Sequence, residues 1–266
     1  MNTLSNTELP DAIELRNVSQ SYDGENTYIV KGLNFLVEHR PNAGRFVVIL
    51  GASGCGKSTL LRYIAGLQKP TSGEVLINGH VRTDKDIVSM VFQQYSSLPF
   101  KTVLENVMLP LIFKNVPNKE AKKKAMEMIV AVGLEGHEWK YAKSPLLSGG
   151  QLQRVAIARS LISNPNIILM DEPFGALDTN TRFKMQIMIS EIRQKLKTTV
   201  VFVTHDIQEA VFLADDIYTM KASPGELVQH FSIPLPQQRD RSTKRENKFI
   251  ELVNTVEDAL LSLVAK

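Results

Sequence analysis

One cysteine, Cys55, and one tryptophan are all that 266 residues hold of either type. A lone thiol cannot close an internal disulfide, so a disulfide-stapled scaffold is excluded and a reducing compartment, the cytosol by default, suits the chain. Long apolar runs are missing as well. Solid stretches such as Phe46 to Leu50 and Ile167 to Met170 fall far short of the roughly 18 residues that a spanning helix needs. Met1 to Pro10 has neither a basic nor an apolar stretch, so no secretory signal is expected. If such a protein works at a membrane, another chain must hold it there. Charge of one sign is not in excess either: 31 Lys and Arg against 28 Asp and Glu leave +3, too little to make nucleic acid the main partner. Internal repeats and low-complexity segments are absent. What remains is ordinary, 43% hydrophobic and 22% charged, enough for one large domain or a domain carrying a subdomain.

The apolar pattern changes along the chain. Ile13 and Leu15, then Leu33, Phe35 and Val37, alternate with polar residues as half-buried antiparallel strands do. From Phe46 the runs turn solid: Phe46 to Leu50, Ile167 to Met170 and Val200 to Val203 predict parallel strands buried on both faces. All three end in glycine or polar residues, and ligands of open α/β sheets bind beyond the carboxyl ends of strands. Between about Ser96 and Ser148 the spacing is helical. Ala125, Met128, Ile129 and Val132 mark one apolar face within Lys119 to Val132, with Gly133 as C-cap and Lys119, Lys122, Lys123 and Lys124 on a solvated face. After Pro234-Leu235-Pro236, the charged Arg239 to Lys248 reads as a linker. Phe249, Leu252, Val253, Val256, Leu260 and Leu263 then predict an amphipathic helix that packs on the core or meets a partner, the former being favoured.

The chemistry concentrates at the strand ends. Gly51-Ala52-Ser53-Gly54-Cys55-Gly56-Lys57-Ser58 fits G-x-x-x-x-G-K-[ST] between a buried strand and a helix running from Ser58 to Leu67, with Thr59 in its first turn. Its glycines let successive N–H groups curl around phosphate oxygens, aided by the positive end of the helix. Lys57 would neutralise the β and γ phosphates and Ser58 would ligate Mg²⁺. A small Cys55 in that loop gives no reason for redox chemistry. Asp171 and Glu172 follow the second solid run, and strand alternation separates their side chains, so Asp171 is assigned to magnesium and Glu172 to the attacking water as general base. His205, after the third run, is placed to meet the γ-phosphate from another side. Gln93, after Met90-Val91-Phe92, puts an amide within reach of the ion or the water. Ser148-Gly149-Gly150-Gln151 opens a helix from Leu152 to Ile162 and forms a second anion site. One nucleotide needs one phosphate loop, so the second site serves a nucleotide held by another copy, in a head-to-tail dimer with two ATP molecules at the interface.

In this order and spacing, GASGCGKS, VFQQ, LSGGQLQRVAIARSL, IILMDEP, GALD and VTHD, across about residues 11–235, resemble the ATP-binding cassette (ABC) family. LSGGQ separates that family from other phosphate-loop proteins. The resemblance implies an α/β fold: a P-loop NTPase (RecA-like) core with an antiparallel β subdomain and a helical subdomain inserted at about 96–148, followed by a linker and helix over 236–266. It also implies that Gln93 is the Q-loop glutamine, Glu172 the catalytic base, Asp178 of Gly175-Ala176-Leu177-Asp178 the dimer-contacting aspartate, His205 the switch histidine, and Tyr22 the aromatic on adenine, with Tyr28 as competitor. Ser223-Pro224-Gly225-Glu226, Ile233 to Pro236, Arg239-Asp240-Arg241, and Leu98-Pro99-Phe100 followed by Thr102 to Val107 are similar to the nitrate, sulfonate and taurine importer branch. Phe100 in place of Trp, the long Glu38 to Gly44 turn and Arg45 depart from that pattern. The function so implied is the ATPase subunit of an importer, with ATP and Mg²⁺, working as a homodimer on the cytoplasmic face of the membrane beneath separate permease subunits and supplied by a solute-binding protein. An exporter subunit, a soluble phosphotransferase, and a non-transport cassette protein of translation or DNA repair are the rivals. The last usually carries two cassettes or a long coiled coil, which are not seen here.

Overall fold

The structure, a computed structural model, describes residues 10–22, 27–39, 44–175 and 177–264. Of the segments singled out above, Met1 to Leu9, Arg40 to Ala43, Ala176 and the side chain of Leu263 lie outside the described residues. Two sheets form. Strands β1 (Ile13–Ser21), β2 (Tyr28–Val37), β4 (Ser72–Ile77) and β5 (His80–Val81) make an antiparallel sheet in the order β2-β1-β4-β5. The second has the order β10-β9-β3-β8-β7-β6, from β3 (Phe46–Gly51), β6 (Ser89–Val91), β7 (Ile167–Asp171), β8 (Thr199–Thr204), β9 (Asp216–Lys221) and β10 (Glu226–Ser232). All its pairings are parallel except β10 with β9.

Alternation explains both apolar patterns. In the antiparallel sheet Ile13 faces Val37 and Leu15 faces Phe35 across the ladder, and their buried side chains share one core with α1 (Lys57–Ala65). Successive residues of β3 serve two cores: Val47 and Ile49 meet the antiparallel sheet and α1, while Phe46, Val48 and Leu50 meet α5 (Thr179–Leu196), α6 (Ile207–Leu213) and α7 (Asn247–Val264). A strand covered on both faces has no solvent side to keep polar, hence the solid run.

A third core is helical. Val103, Val107 and Leu111 of α2 (Val103–Phe113), Ala121, Ala125 and Ile129 of α3 (Asn118–Ala131), and Leu152, Val155 and Ala158 of α4 (Gly149–Leu161) bury one another. Helix α2 starts at a capping box in which Thr102 accepts from the Glu105 N–H and the Glu105 carboxylate accepts from the Thr102 N–H. Gly133, in the left-handed region at φ 66°, follows α3 as the spacing predicts. Helix α1 ends two residues earlier than the apolar spacing suggests, because Gly66 takes φ 69° and closes it by donating to Arg62 and Tyr63 carbonyls.

Within the charged stretch expected as a linker, Arg239 and Thr243 are buried, whereas Asp240 to Ser242 and Arg245 to Lys248 are exposed. The Arg239 guanidinium, 8% exposed, donates to the carbonyls of Pro236, Val211 and Phe212, and burial pulls its pKa down to about 10. Carbonyls at the end of α6 thereby gain donors. Phe249 and Val256 of α7 are buried on the same core, and Leu252, Val253 and Leu260 pack against it half-buried.

Candidate functional site

The carboxyl ends of β3, β7 and β8 lie side by side, and the residues beyond them converge. Gly54 and Gly56 take φ 81° and φ 102°, a left-handed backbone that glycine accepts and that lets the loop curl between β3 and α1. A Cβ on Gly51 would stand 2.5 Å from the Met220 carbonyl oxygen, so the loop also needs glycine for close approach. Lys57 Nζ, almost buried, donates to the carbonyls of Gly51 at 2.8 Å and Ala52 at 2.9 Å, and stands 3.8 Å from Glu172 Oε1. Ser58 Oγ donates to Asp171 Oδ1 at 3.0 Å. Burial raises the Asp171 pKa, and the Ser58 hydroxyl works in the opposite direction. Burial likewise raises the Cys55 thiol, so it offers no reactive thiolate.

Asp171 is the last residue of β7, and Glu172 breaks the strand with φ 41°. A non-glycine residue in that region stores strain of about 1–3 kcal/mol, which is found where a side chain must be re-aimed. Here it turns the Glu172 carboxylate toward His205, whose Nδ1 lies 3.0 Å from Glu172 Oε2. A carboxylate only accepts, so Nδ1 carries the proton of that bond and Nε2 is the nitrogen left to face a ligand. A cavity of about 70 Å³ beside this pair is lined by Glu172, Gly175, Arg182 and His205, among others, and has room for a water molecule.

Lys57, Glu172 and His205 are therefore joined by direct contacts, as are their chain neighbours Ser58 and Asp171. Among the described residues no side-chain hydrogen bond ties Gln93, Tyr22, Tyr28, Ser148 or Asp178 to these five. Gln93 is exposed two residues past β6, next to β7 in the sheet. Tyr22 is 67% exposed, its hydroxyl accepting from Gln68 Nε2, and Tyr28 stacks under Lys31. Ser148 caps α4, its N–H donating to Gln151 Oε1, and both Ser148 and Gly149 are exposed at the helix start. Asp178 caps α5, accepting from the N–H groups of Asn180 and Thr181.

Two residues escape sequence reasoning. Gly225 sits under the phosphate loop: its N–H donates to Ile29, its carbonyl accepts from Lys31, and a Cβ there would meet the Cys55 carbonyl oxygen at 2.3 Å. Arg182 donates to the Leu177 carbonyl and lies 3.5 Å from Asp206, linking the loop before α5 to the residue after His205. Gly225 shows in the sequence only within the tetrapeptide Ser223 to Glu226, and Arg182 not at all, since both act through long-range packing.

Among the described residues no group of three or more His, Cys, Asp or Glu is arranged to hold a metal. The oxygen pair of Ser58 and Asp171 suits a hard cation that keeps phosphate and water as its other ligands, as magnesium does at nucleotides. No described helix is long and apolar enough to cross a membrane.

Comparison with known proteins shows the family. The ABC transporter family profile matches residues 35–175, just over half of the chain. An uncharacterised ABC transporter ATP-binding protein of Methanocaldococcus jannaschii is 45% identical over 221 residues, covering 81% of each chain. An aliphatic sulfonates import ATP-binding protein of Shouchella clausii is 44% identical over 250 residues, covering 94% of this chain and 90% of the relative. Among solved structures, a dimeric post-hydrolysis state of the ATP-binding cassette MJ0796 bound to ADP and Pi superposes with a TM-score of 0.73 at 38% identity, covering 84% of this chain and all of that one. With its P-loop NTPase fold, the chain belongs to the ABC transporter family as an ATP-binding subunit and is an ATPase.

Proposed function

We propose that this subunit powers import of a small anion of the sulfonate, nitrate or taurine type, working as a homodimer on the cytoplasmic face of the membrane beneath separate permease subunits that receive solute from a binding protein. The observation that carries the reading is the Glu172–His205 pair standing next to Lys57 and the Ser58–Asp171 pair at one sheet edge. The sulfonate-importing relative supports the direction and class of cargo.

In this scheme the loop from Gly51 to Thr59 wraps the phosphates, Lys57 swings from its loop carbonyls onto the β and γ phosphates, and Tyr22 or Tyr28 stacks on adenine. Ser58, Asp171 and Gln93 hold Mg²⁺, which when bound neutralises charge on the phosphates. Glu172 takes a proton from a water as the water oxygen bonds to the γ-phosphorus, and the bridging oxygen leaves with ADP. His205 keeps Glu172 aimed through Nδ1 and offers Nε2 to the γ-phosphate. Ser148, Gly149, Gly150 and Gln151, the first two exposed and the others half-buried at the start of α4, close over the γ-phosphate of the partner copy, with Asp178 at the same interface. Loss of phosphate removes the shared anion, and the dimer reopens. The dimeric state of the solved cassette supports this half-site arrangement.

Permease docking is supported by an apolar groove of about 430 Å³ lined by Met90, Phe92, Leu109, Pro110 and Phe113, with Ile87 87% and Phe113 76% exposed. Exposed apolar surface of this kind marks a contact site. Glu172→Gln is expected to bind ATP, cut turnover at least about a hundredfold and accumulate dimer. Size-exclusion with ATP and Mg²⁺ checks this, and a purely monomeric Glu172→Gln would contradict the half-site scheme. Lys57→Ala should lose nucleotide affinity in a titration. Solute uptake by vesicles carrying the co-purified permease separates import from export, and phosphate released to water, with no phosphorylated acceptor, separates both from a phosphotransferase.

A further inference from the structure

Behind His205 runs a line of buried polar side chains that the scheme above does not use. Thr204, the last residue of β8, is 2% exposed and its hydroxyl donates to Glu209 Oε2 at 2.7 Å while accepting from the Asp206 N–H at 3.1 Å. Glu209, on α6, also accepts from Gln186 Nε2 of α5 at 3.0 Å, and its own N–H donates to Asp206 Oδ1. Gln186 Oε1 in turn accepts from Lys244 Nζ, which belongs to the C-terminal segment and lies over the rings of Phe183 and Phe212. Of the residues flanking His205, Thr204 is held directly by the buried Glu209 carboxylate and Asp206 through the Thr204 hydroxyl and the Glu209 N–H, and the line ends in the tail.

We propose that Glu209 is a positioning residue for His205, acting through Thr204 and Asp206, and that Gln186 and Lys244 fix the direction of its hydrogen bonds. The inference rests on the role given to His205 above. Lys244 only donates, so Gln186 must turn its oxygen to Lys244 and its amide to Glu209. Glu209 then receives donors on both oxygens, which leaves a lone pair of Thr204 to hold the Asp206 N–H. The carboxylate pKa is raised by burial, in keeping with a group spent on internal bonds. An amide at 209 breaks the order. With its oxygen toward Thr204, its NH₂ opposes the Gln186 NH₂; flipping Gln186 sets that NH₂ against Lys244; and with its NH₂ toward Thr204, the buried threonine hydrogen loses its acceptor. Exchanging the pair, with amide at 209 and carboxylate at 186, restores donor to acceptor at every link.

The test measures steady-state ATP hydrolysis, nucleotide-driven dimerisation and thermal unfolding. Glu209→Gln should lower kcat about tenfold with KM for ATP changed less than about twofold, and the Glu209→Gln/Gln186→Glu double variant should return to within about threefold of wild type. A merely structural carboxylate would lower the unfolding midpoint without this split between kcat and KM. Wild-type kcat in Glu209→Gln, or a folded double variant no faster than the single one, overturns the proposal. Should Glu209→Gln fail to fold, Thr204→Val carries the test: it should reproduce the kcat loss while Thr204→Ser keeps the rate, and equal rates in Val and Ser overturn the relay. His205→Ala is run alongside. Full hydrolysis in His205→Ala removes the underlying reading of the histidine, whereas lost hydrolysis in it with unaltered Glu209→Gln and Thr204→Val refutes the relay alone.

Discussion

Gly225 carries no reactive atom, yet its missing Cβ is part of the phosphate site. A methyl there would press on the Cys55 carbonyl at 2.3 Å and on Met220 Cε at 2.8 Å, and the first of these is backbone of the loop that must curl. Gly225→Ala is therefore expected to displace Cys55 and weaken ATP binding about tenfold, read by nucleotide titration, with a smaller loss of thermal stability. That Lys57, Ser58, Asp171, Glu172 and His205 collect at the strand ends is legible in the sequence, because a motif or a strand end marks each. Gly225 was legible only as part of a tetrapeptide, since its neighbour is Cys55, far away in the chain. Glu172 lies between these cases: its place after a solid apolar run is visible, whereas the φ of 41° that swings it toward His205 comes from the turn.

At the scale of elements, capping decides where helices begin. Thr102→Ala removes the hydroxyl that accepts from the Glu105 N–H and should cost about 1 kcal/mol in denaturant unfolding. The Thr102 N–H first, and its hydroxyl second, hold the Glu105 carboxyl below the usual carboxylate range. A depressed folded-state value stabilises the fold above the pH where the unfolded carboxylate titrates, and that gain fades as pH falls through the folded value. The gap between wild type and Thr102→Ala is thus expected to narrow below about pH 4. Helix α7 depends on tertiary burial. Phe249, 3% exposed, anchors it beneath the core, and Phe249→Ala should cost about 3 kcal/mol, seen as a lower midpoint in urea. Arg239 illustrates why charge alone misleads at this scale. Its guanidinium finds the free carbonyls at the end of α6, and with those partners burial is tolerated.

For the whole molecule, the exposed apolar groove and the exposed start of α4 are the surfaces left unfinished within one chain. Phe113→Asp should leave ATP hydrolysis by the isolated subunit unchanged, because Phe113 lies at the end of α2 and away from the joined residues of the site, and should abolish co-purification with the permease. Retained co-purification would move the docking surface elsewhere. In the proposed scheme the dimer and the permease claim different faces.

Composition, apolar periodicity and motif order already determine the fold class, the parallel core strands and the ends at which chemistry collects, because a strand buried twice must be apolar throughout and a phosphate loop must be rich in glycine. Only the folded chain decides how the Glu172 carboxylate is aimed, that Gly225 underlies Cys55, and that Lys244, Gln186, Glu209 and Thr204 form one line. Those relations join residues distant in sequence through packing and hydrogen-bond direction, and neither leaves a local period to read.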